Sequence, residues 1–202
     1  EALPRWNLGD LYSGMHAPEL TQDLEHAEGL AKDFGQRYRG RLDALDGAGM
    51  GEAIGAYEEI SKLMGKVISY AQLNFAADMS DGERGRFLQT MQERVNVISA
   101  ELLFFTLEIN QIEDAEYETK LVASGAARYR PWLRDIREFR PHQLSEEVER
   151  LLHDKQVTGR AAWNRLFDET VAELRFPFDG DELTSEQVLH LLSDTNSNIR
   201  KK

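Results

Sequence analysis

Leu20, Leu24, Ala27, Ala31, Phe34, Tyr38 and Leu42 recur at steps of three and four residues. Only an α-helix puts such positions on one face. Pro18 suits the first turn, where its missing N–H costs nothing. Gly47 and Gly49 then break the pattern. A second stripe runs Met50, Ile54, Tyr57, Met64, Ile68, Ala71 and Phe75, with Ser61 in its one polar place. A third runs Leu88, Met91, Val95, Ile98, Leu102, Phe105, Ile109 and Ile112. Ser80 and Glu83 have capping-box spacing just upstream of it. The pattern predicts one continuous helix from Ser80 to Ile112, ~50 Å long. The short connection around Asp78 makes the second and third helices antiparallel neighbours. Stripes of this period suit coiled-coil-like packing.

Beyond residue 112 the helices shorten. One is predicted from Ala115 to Ser124, and another from Pro131, carrying Trp132, Leu133 and Ile136 and stopping at Pro141. Ser145 reads as a cap, with Glu146 and Glu147 opposing the positive end of the helix dipole. Val148, Leu151 and Leu152 form the apolar face of that helix. After Gly159, Ala161 to Glu173 should turn Trp163, Leu166, Phe167 and Val171 inward. The period then changes to two at Leu174, Phe176 and Phe178, and Asp179-Gly180 is a hairpin turn signal. Glu182-Leu183 returns as a second strand, and Thr184 to Glu186 opens a last full helix. Asp194, Asn196 and Ser197 are helix-starting residues, followed by only Ile199 as an apolar position. The expected fold is therefore mainly all-α: long antiparallel helical hairpins, shorter helices, and one small β-hairpin near residues 173–184. A long-helix region over 1–125 is expected to precede a region of shorter helices and hairpin over 126–202. No fixed repeat of solenoid length is found.

Composition narrows the chemistry. The net charge is −12, which disfavours nucleic acid and anionic membrane surfaces. No cysteine is present, so neither disulfides nor thiolate catalysis is available, and strong metal ligands reduce to His and carboxylates. No apolar run has the length of a membrane span, and the first residues lack a signal-peptide pattern. A cytoplasmic location is the default expectation.

No catalytic pattern emerges from the residues. His16, His26, His142, His153 and His190 include no i, i+4 pair, the spacing a His-Glu-x-x-His zinc site needs to put both imidazoles on one helical face. Glu149 and His153 are four apart, not the three used by di-metal carboxylate bundles. The adjacent pairs Glu58-Glu59, Glu146-Glu147 and Asp181-Glu182 diverge on their elements. The acidic stretches at Asp78 to Glu83 and Asp179 to Glu182 lack the calcium-loop pattern and read as caps and turns. Gly47, Gly51 and Gly55 read as close helix packing or a loose helix start. Candidate catalytic residues, cofactor-binding residues and metal ligands are accordingly none.

A family resemblance adds to this reading. Leu3-Pro4-Arg5-Trp6-Asn7-Leu8-Gly9-Asp10-Leu11-Tyr12 resembles the opening of oligoendopeptidase F and its relatives, zinc metallopeptidases related to thimet oligopeptidase. His142 to Leu152 is similar to that family's acidic helix start. The likeness continues through Thr158-Gly159-Arg160-Ala161-Ala162-Trp163-Asn164-Arg165-Leu166-Phe167-Asp168-Glu169, the hairpin Leu174 to Leu183, and Ser193 to Arg200. The resemblance implies the N-terminal region of a longer zinc-dependent enzyme that hydrolyses internal bonds of short, unstructured peptides. It places His-Glu-x-x-His and a later zinc-binding glutamate in a catalytic domain downstream. Zinc is implied for that full-length enzyme and none for the residues of this chain, which alone should be inactive. Family helices of this region wall a channel around the zinc site. An isolated piece should expose apolar surface and could dimerise through it. The alternative is a stand-alone helical module that binds protein partners and has no catalytic activity.

Overall fold

The computed structural model describes residues 6–122 and 124–201. Leu3, Pro4 and Arg5 of the N-terminal match lie outside the described residues. The elements run α1 (Pro18–Tyr38), α2 (Gly47–Ala76), α3 (Gly82–Ala100), α4 (Leu103–Gln111), α5 (Asp114–Val122), α6 (Ser124–Ala127) and α7 (Arg130–Glu138). A 3-10 turn (Arg140–His142), α8 (Glu146–Lys155), a π-turn (Val157–Ala161) and α9 (Ala162–Glu173) follow. The hairpin strands β1 (Phe176–Phe178) and β2 (Asp181–Leu183), then α10 (Ser185–Leu191) and α11 (Ser197–Arg200), close the chain. The predicted mainly helical fold with one small hairpin is what forms.

All seven residues of the first stripe are buried. Of the second, Met50, Ile54, Ala71 and Phe75 are buried, while Tyr57, Met64 and Ile68 pack at its edge. Asp46 starts α2 by accepting a 2.8 Å hydrogen bond from the Gly49 N–H. α2 lies against α1, α3 and α6. Around it, Phe34, Tyr57, Phe104, Phe105 and Trp132 form one aromatic cluster. Phe34 meets Phe105 edge-on with ring centroids 5.0 Å apart, and Phe105 stacks on Trp132 at 6.4 Å. Burying each such ring stabilises by roughly 1.5–3 kcal/mol, and the tilted and edge-on contacts fix their orientation.

Two predicted details change. The cap of α3 is Asp81, which accepts from the N–H groups of Glu83 and Arg84; Ser80 turns back to donate to Asp78. The helix expected to run unbroken from Ser80 to Ile112 breaks at Glu101 and Leu102. There the N–H groups of Glu101 and Leu102 bond three residues back rather than four, and Arg39 from the end of α1 donates to the Glu101 carbonyl at 3.2 Å. A tertiary donor has taken an acceptor at the turn, and the helix tightens there. The axis of the α3–α4 segment meets that of α5 at 105°. Arg137 covers the end of α4, donating at 2.9 Å to the carbonyls of Ile109 and Asn110 and at 2.6 Å to that of Ile112. No single helix among the described residues is long and apolar enough to cross a membrane.

The last buried residue along the described chain is Leu133. β1 and β2 pair antiparallel, Phe176 opposite Leu183, and the turn residues Asp179 and Gly180 both have positive φ, as an Asp-Gly turn requires.

Candidate functional site

The stretch from α8 through α9 combines the sequence motifs with an unusual surface. Ser145 is the N-cap residue of α8, as expected from sequence, but its hydroxyl makes no capping bond. Glu149 accepts from the Leu144 N–H at 2.9 Å instead. Between α8 and α9, Gly159 adopts φ −100°, ψ −109° inside the π-turn. The predicted break at Gly159 is thus a kink within a near-continuous helical path. π-turns of this kind concentrate at functional positions.

Polar contacts hold this stretch to the body. Arg39 reaches Glu146 at 3.3 Å and Glu101 at 3.6 Å, with its guanidinium over the Phe104 ring. Beside it, Glu108 accepts from the Gly40 N–H at 2.8 Å. Burial pushes the Glu108 carboxyl above its ordinary range, and Glu146 adds repulsion, against the opposing Gly40 bond and the Arg39 charge. Arg165 on α9 donates to Gln89 on α3 at 2.7 Å and pairs with Glu169.

Among the described residues, His153 has a side-chain and a backbone partner on α3. Its Nε2 lies 3.0 Å from Ser99 Oγ and 3.0 Å from the Asn96 carbonyl. A carbonyl can only accept, so Nε2 carries the hydrogen and donates. Ser99 itself donates to the same carbonyl at 3.1 Å. Nε2, the nitrogen that faces Ser99, therefore has no lone pair for the serine proton, and the pair latches α8 to α3 rather than forming a nucleophile and base. His16 is exposed, 3.7 Å from Glu83, and His26, His142 and His190 are also exposed.

The other side of the stretch is apolar and open. Trp163 is 70% exposed, Phe167 67%, and Leu151, Leu152 and Leu166 each more than half. The expectation that Trp163, Leu166 and Phe167 face inward is corrected. The face formed by Ala161 at the end of the π-turn and by Asn164, Arg165 and Asp168 of α9 looks onto α3 across a cleft of about 230 Å³, shared with Gln92. Polar anchoring of that side leaves the large apolar residues outward. Leu189 and Leu192, in and just after α10, are exposed as well.

The motifs quoted from 142–152 and 158–169 fall inside one recognisable segment. Residues 108–176 match the model of the Oligopeptidase F family. The sequence resemblance to the oligoendopeptidase F family thus has an independent match over the region that holds α8, the kink and α9. No curated protein matches the chain significantly. Among solved structures, oligoendopeptidase-F from Enterococcus faecium superimposes with a TM-score of 0.77 at 21% identity, covering 91% of this chain. The overlap is 37% of that chain's length. At this identity the likeness shows the fold, and the family match is confined to residues 108–176.

Among the described residues no three of His, Asp and Glu come together as a metal-binding group. The zinc implied by the oligopeptidase F resemblance finds no such donor group among the described residues. The arrangement offers a polar cleft and an exposed apolar face, which suit binding and packing.

Proposed function

We propose that this chain is the N-terminal, channel-forming region of a zinc-dependent oligopeptidase that hydrolyses internal bonds of short peptides. The observation that carries the reading is the Oligopeptidase F match across 108–176, joined to a fold shared with an oligoendopeptidase over 91% of the chain. In this reading the helices supply shape. A wall excludes folded substrates by its rigidity, and the aromatic cluster packed around α2 gives that rigidity without reactive groups. The zinc and the groups that attack the peptide bond belong to a catalytic domain that packs against the exposed apolar residues of α8, α9 and α10. Large exposed apolar patches mark such contacts. The setting is cytoplasmic.

The experiment is to read the gene past the codon for Lys202. The proposal expects an in-frame extension that encodes His-Glu-x-x-His followed by a further glutamate. A stop codon close behind, or a long extension without that motif, contradicts it and favours a stand-alone interaction module.

A further inference from the structure

The cleft of about 230 Å³ beside α9 gathers polar side chains from separate parts of the fold. Gln72 of α2, Gln92 of α3, Gln156 at the end of α8, Arg160 of the π-turn, and Asn164 and Asp168 of α9 line it. None of these side chains has a hydrogen-bond or ion-pair partner among the described residues. Nearby polar groups behave differently. Arg39 with Glu146, Arg165 with Gln89, and His153 with Asn96 all hold α8 and α9 to the body. Arg165 also lines the cleft, but Glu169 at 3.5 Å already meets its charge. Buried Phe75 and Leu88 give the cleft an apolar base. Arg160, Asn164 and Asp168 follow at steps of four residues, which keeps them on one side of a helical path. At 1.5 Å per residue, Arg160 and Asp168 stand about 12 Å apart along the axis. A positive charge thus marks one end of the cleft, a negative charge the other, and a carboxamide lies between them.

We infer that this cleft binds a short peptide with both termini free, about three residues long. Extended at ~3.3–3.6 Å per residue, such a peptide spans about 10–11 Å, which matches the separation of the two charges. Its carboxylate pairs with Arg160, whose planar fork fits carboxylate geometry. Its ammonium pairs with Asp168. Each peptide unit in between offers one N–H and one C=O. The carboxamides of Gln72, Gln92 and Asn164 offer the same two groups in return. A ligand with a single charge leaves either Arg160 or Asp168 without a counter-ion, and a dianion meets Asp168 as a like charge. The inference rests on the cleft alone and does not depend on the peptidase reading, so either can fail without the other.

The test uses trialanine as the probe. Binding is followed by NMR shift perturbation of this chain, with far-UV circular dichroism to verify folding. Saturable shifts are expected at the side-chain NH2 signals of Gln72, Gln92 and Asn164. Amidating the C-terminus of the probe, or acetylating its N-terminus, removes one charge, and each should weaken binding roughly fivefold. Arg160→Gln should erase the preference for a free C-terminus and keep the preference for a free N-terminus. Asp168→Asn should do the reverse. A merely structural role of either residue would move neither preference. The ligand series on the unaltered chain decides the matter even where a variant fails to fold. Equal binding of free trialanine and the doubly blocked peptide overturns the inference. So do shifts confined to residues outside the cleft, and so does an absence of saturable binding.

Discussion

A close backbone approach gives a direct test of how the long helix α2 is seated. Gly51 on α2 faces Gly125 on α6. A Cβ added at Gly51 would run into the carbonyl group of Gly125 and lie 2.8 Å from its Cα. Ordinary carbon–carbon contact is ~3.5–4.0 Å, so Gly51→Ala forces α6 outward by roughly 1 Å. The obstacle is backbone and cannot rotate away as a side chain would. Overpacking of this kind costs ~1–3 kcal/mol, and the backbone clash places Gly51→Ala at the upper end. Against it stands ~1 kcal/mol gained from alanine's helix propensity. The net expectation is a loss of about 2 kcal/mol. Gly65, on the same helix, is exposed and has nothing within 4 Å of its hypothetical Cβ. Gly65→Ala should therefore gain about 0.5–1 kcal/mol. Urea denaturation of both variants beside the parent measures the difference. If Gly51→Ala is as stable as Gly65→Ala, α6 does not touch α2 as described and the packing argument fails.

Three further outcomes are expected. Asp81→Ala removes the carboxylate that receives the Glu83 and Arg84 N–H groups and should lower stability by about 1 kcal/mol; an unchanged urea midpoint would discount this cap. Glu108 has a raised pKa in the folded state through burial, so the folded form holds its proton more tightly than the unfolded form. Stability then falls as pH rises from the unfolded value of ~4.3 through the raised folded one. Glu108→Gln keeps an acceptor for Gly40 and removes the charge. It should be more stable than the parent at pH 7, with the advantage fading below that window, as urea midpoints at both pH values will show. Trp163→Ser with Phe167→Ser alters residues more than 60% exposed. Stability should stay within about 0.5 kcal/mol while binding of an apolar fluorescent dye drops; a large destabilisation would mean these rings are packed.

The first half of the fold was open to a reading of periodicity because one face of each helix meets one core. Leu20, Leu24, Ala27, Ala31, Phe34 and Tyr38 are all buried at 4% exposure or less, and their spacing alone predicted it. The break at Glu101 was not legible, since it depends on Arg39, 62 positions away in sequence. Nor was the burial of Lys120, whose ammonium donates to the carbonyls of Asp43 and Leu45 and pairs with Glu116. No local pattern announces a lysine that closes a distant loop. In α9, periodicity found an apolar face at Trp163, Leu166 and Phe167 but gave it the wrong direction. The polar face of α9 carries Arg165, whose bond to Gln89 holds it to α3, and that long-range contact decided the orientation. The hairpin was legible because Asp179-Gly180 has strong local turn chemistry.

On the proposed function these helices form an unreactive wall, and hydrolysis comes from elsewhere in the enzyme. Cleavage of a short, internally quenched fluorescent peptide decides the point, with the product of the whole reading frame compared with residues 1–202 alone. The prediction is cleavage by the whole product, abolished by a chelator and restored by zinc, and none by residues 1–202. Peptide cleavage by residues 1–202, or a whole product indifferent to the chelator, would contradict it.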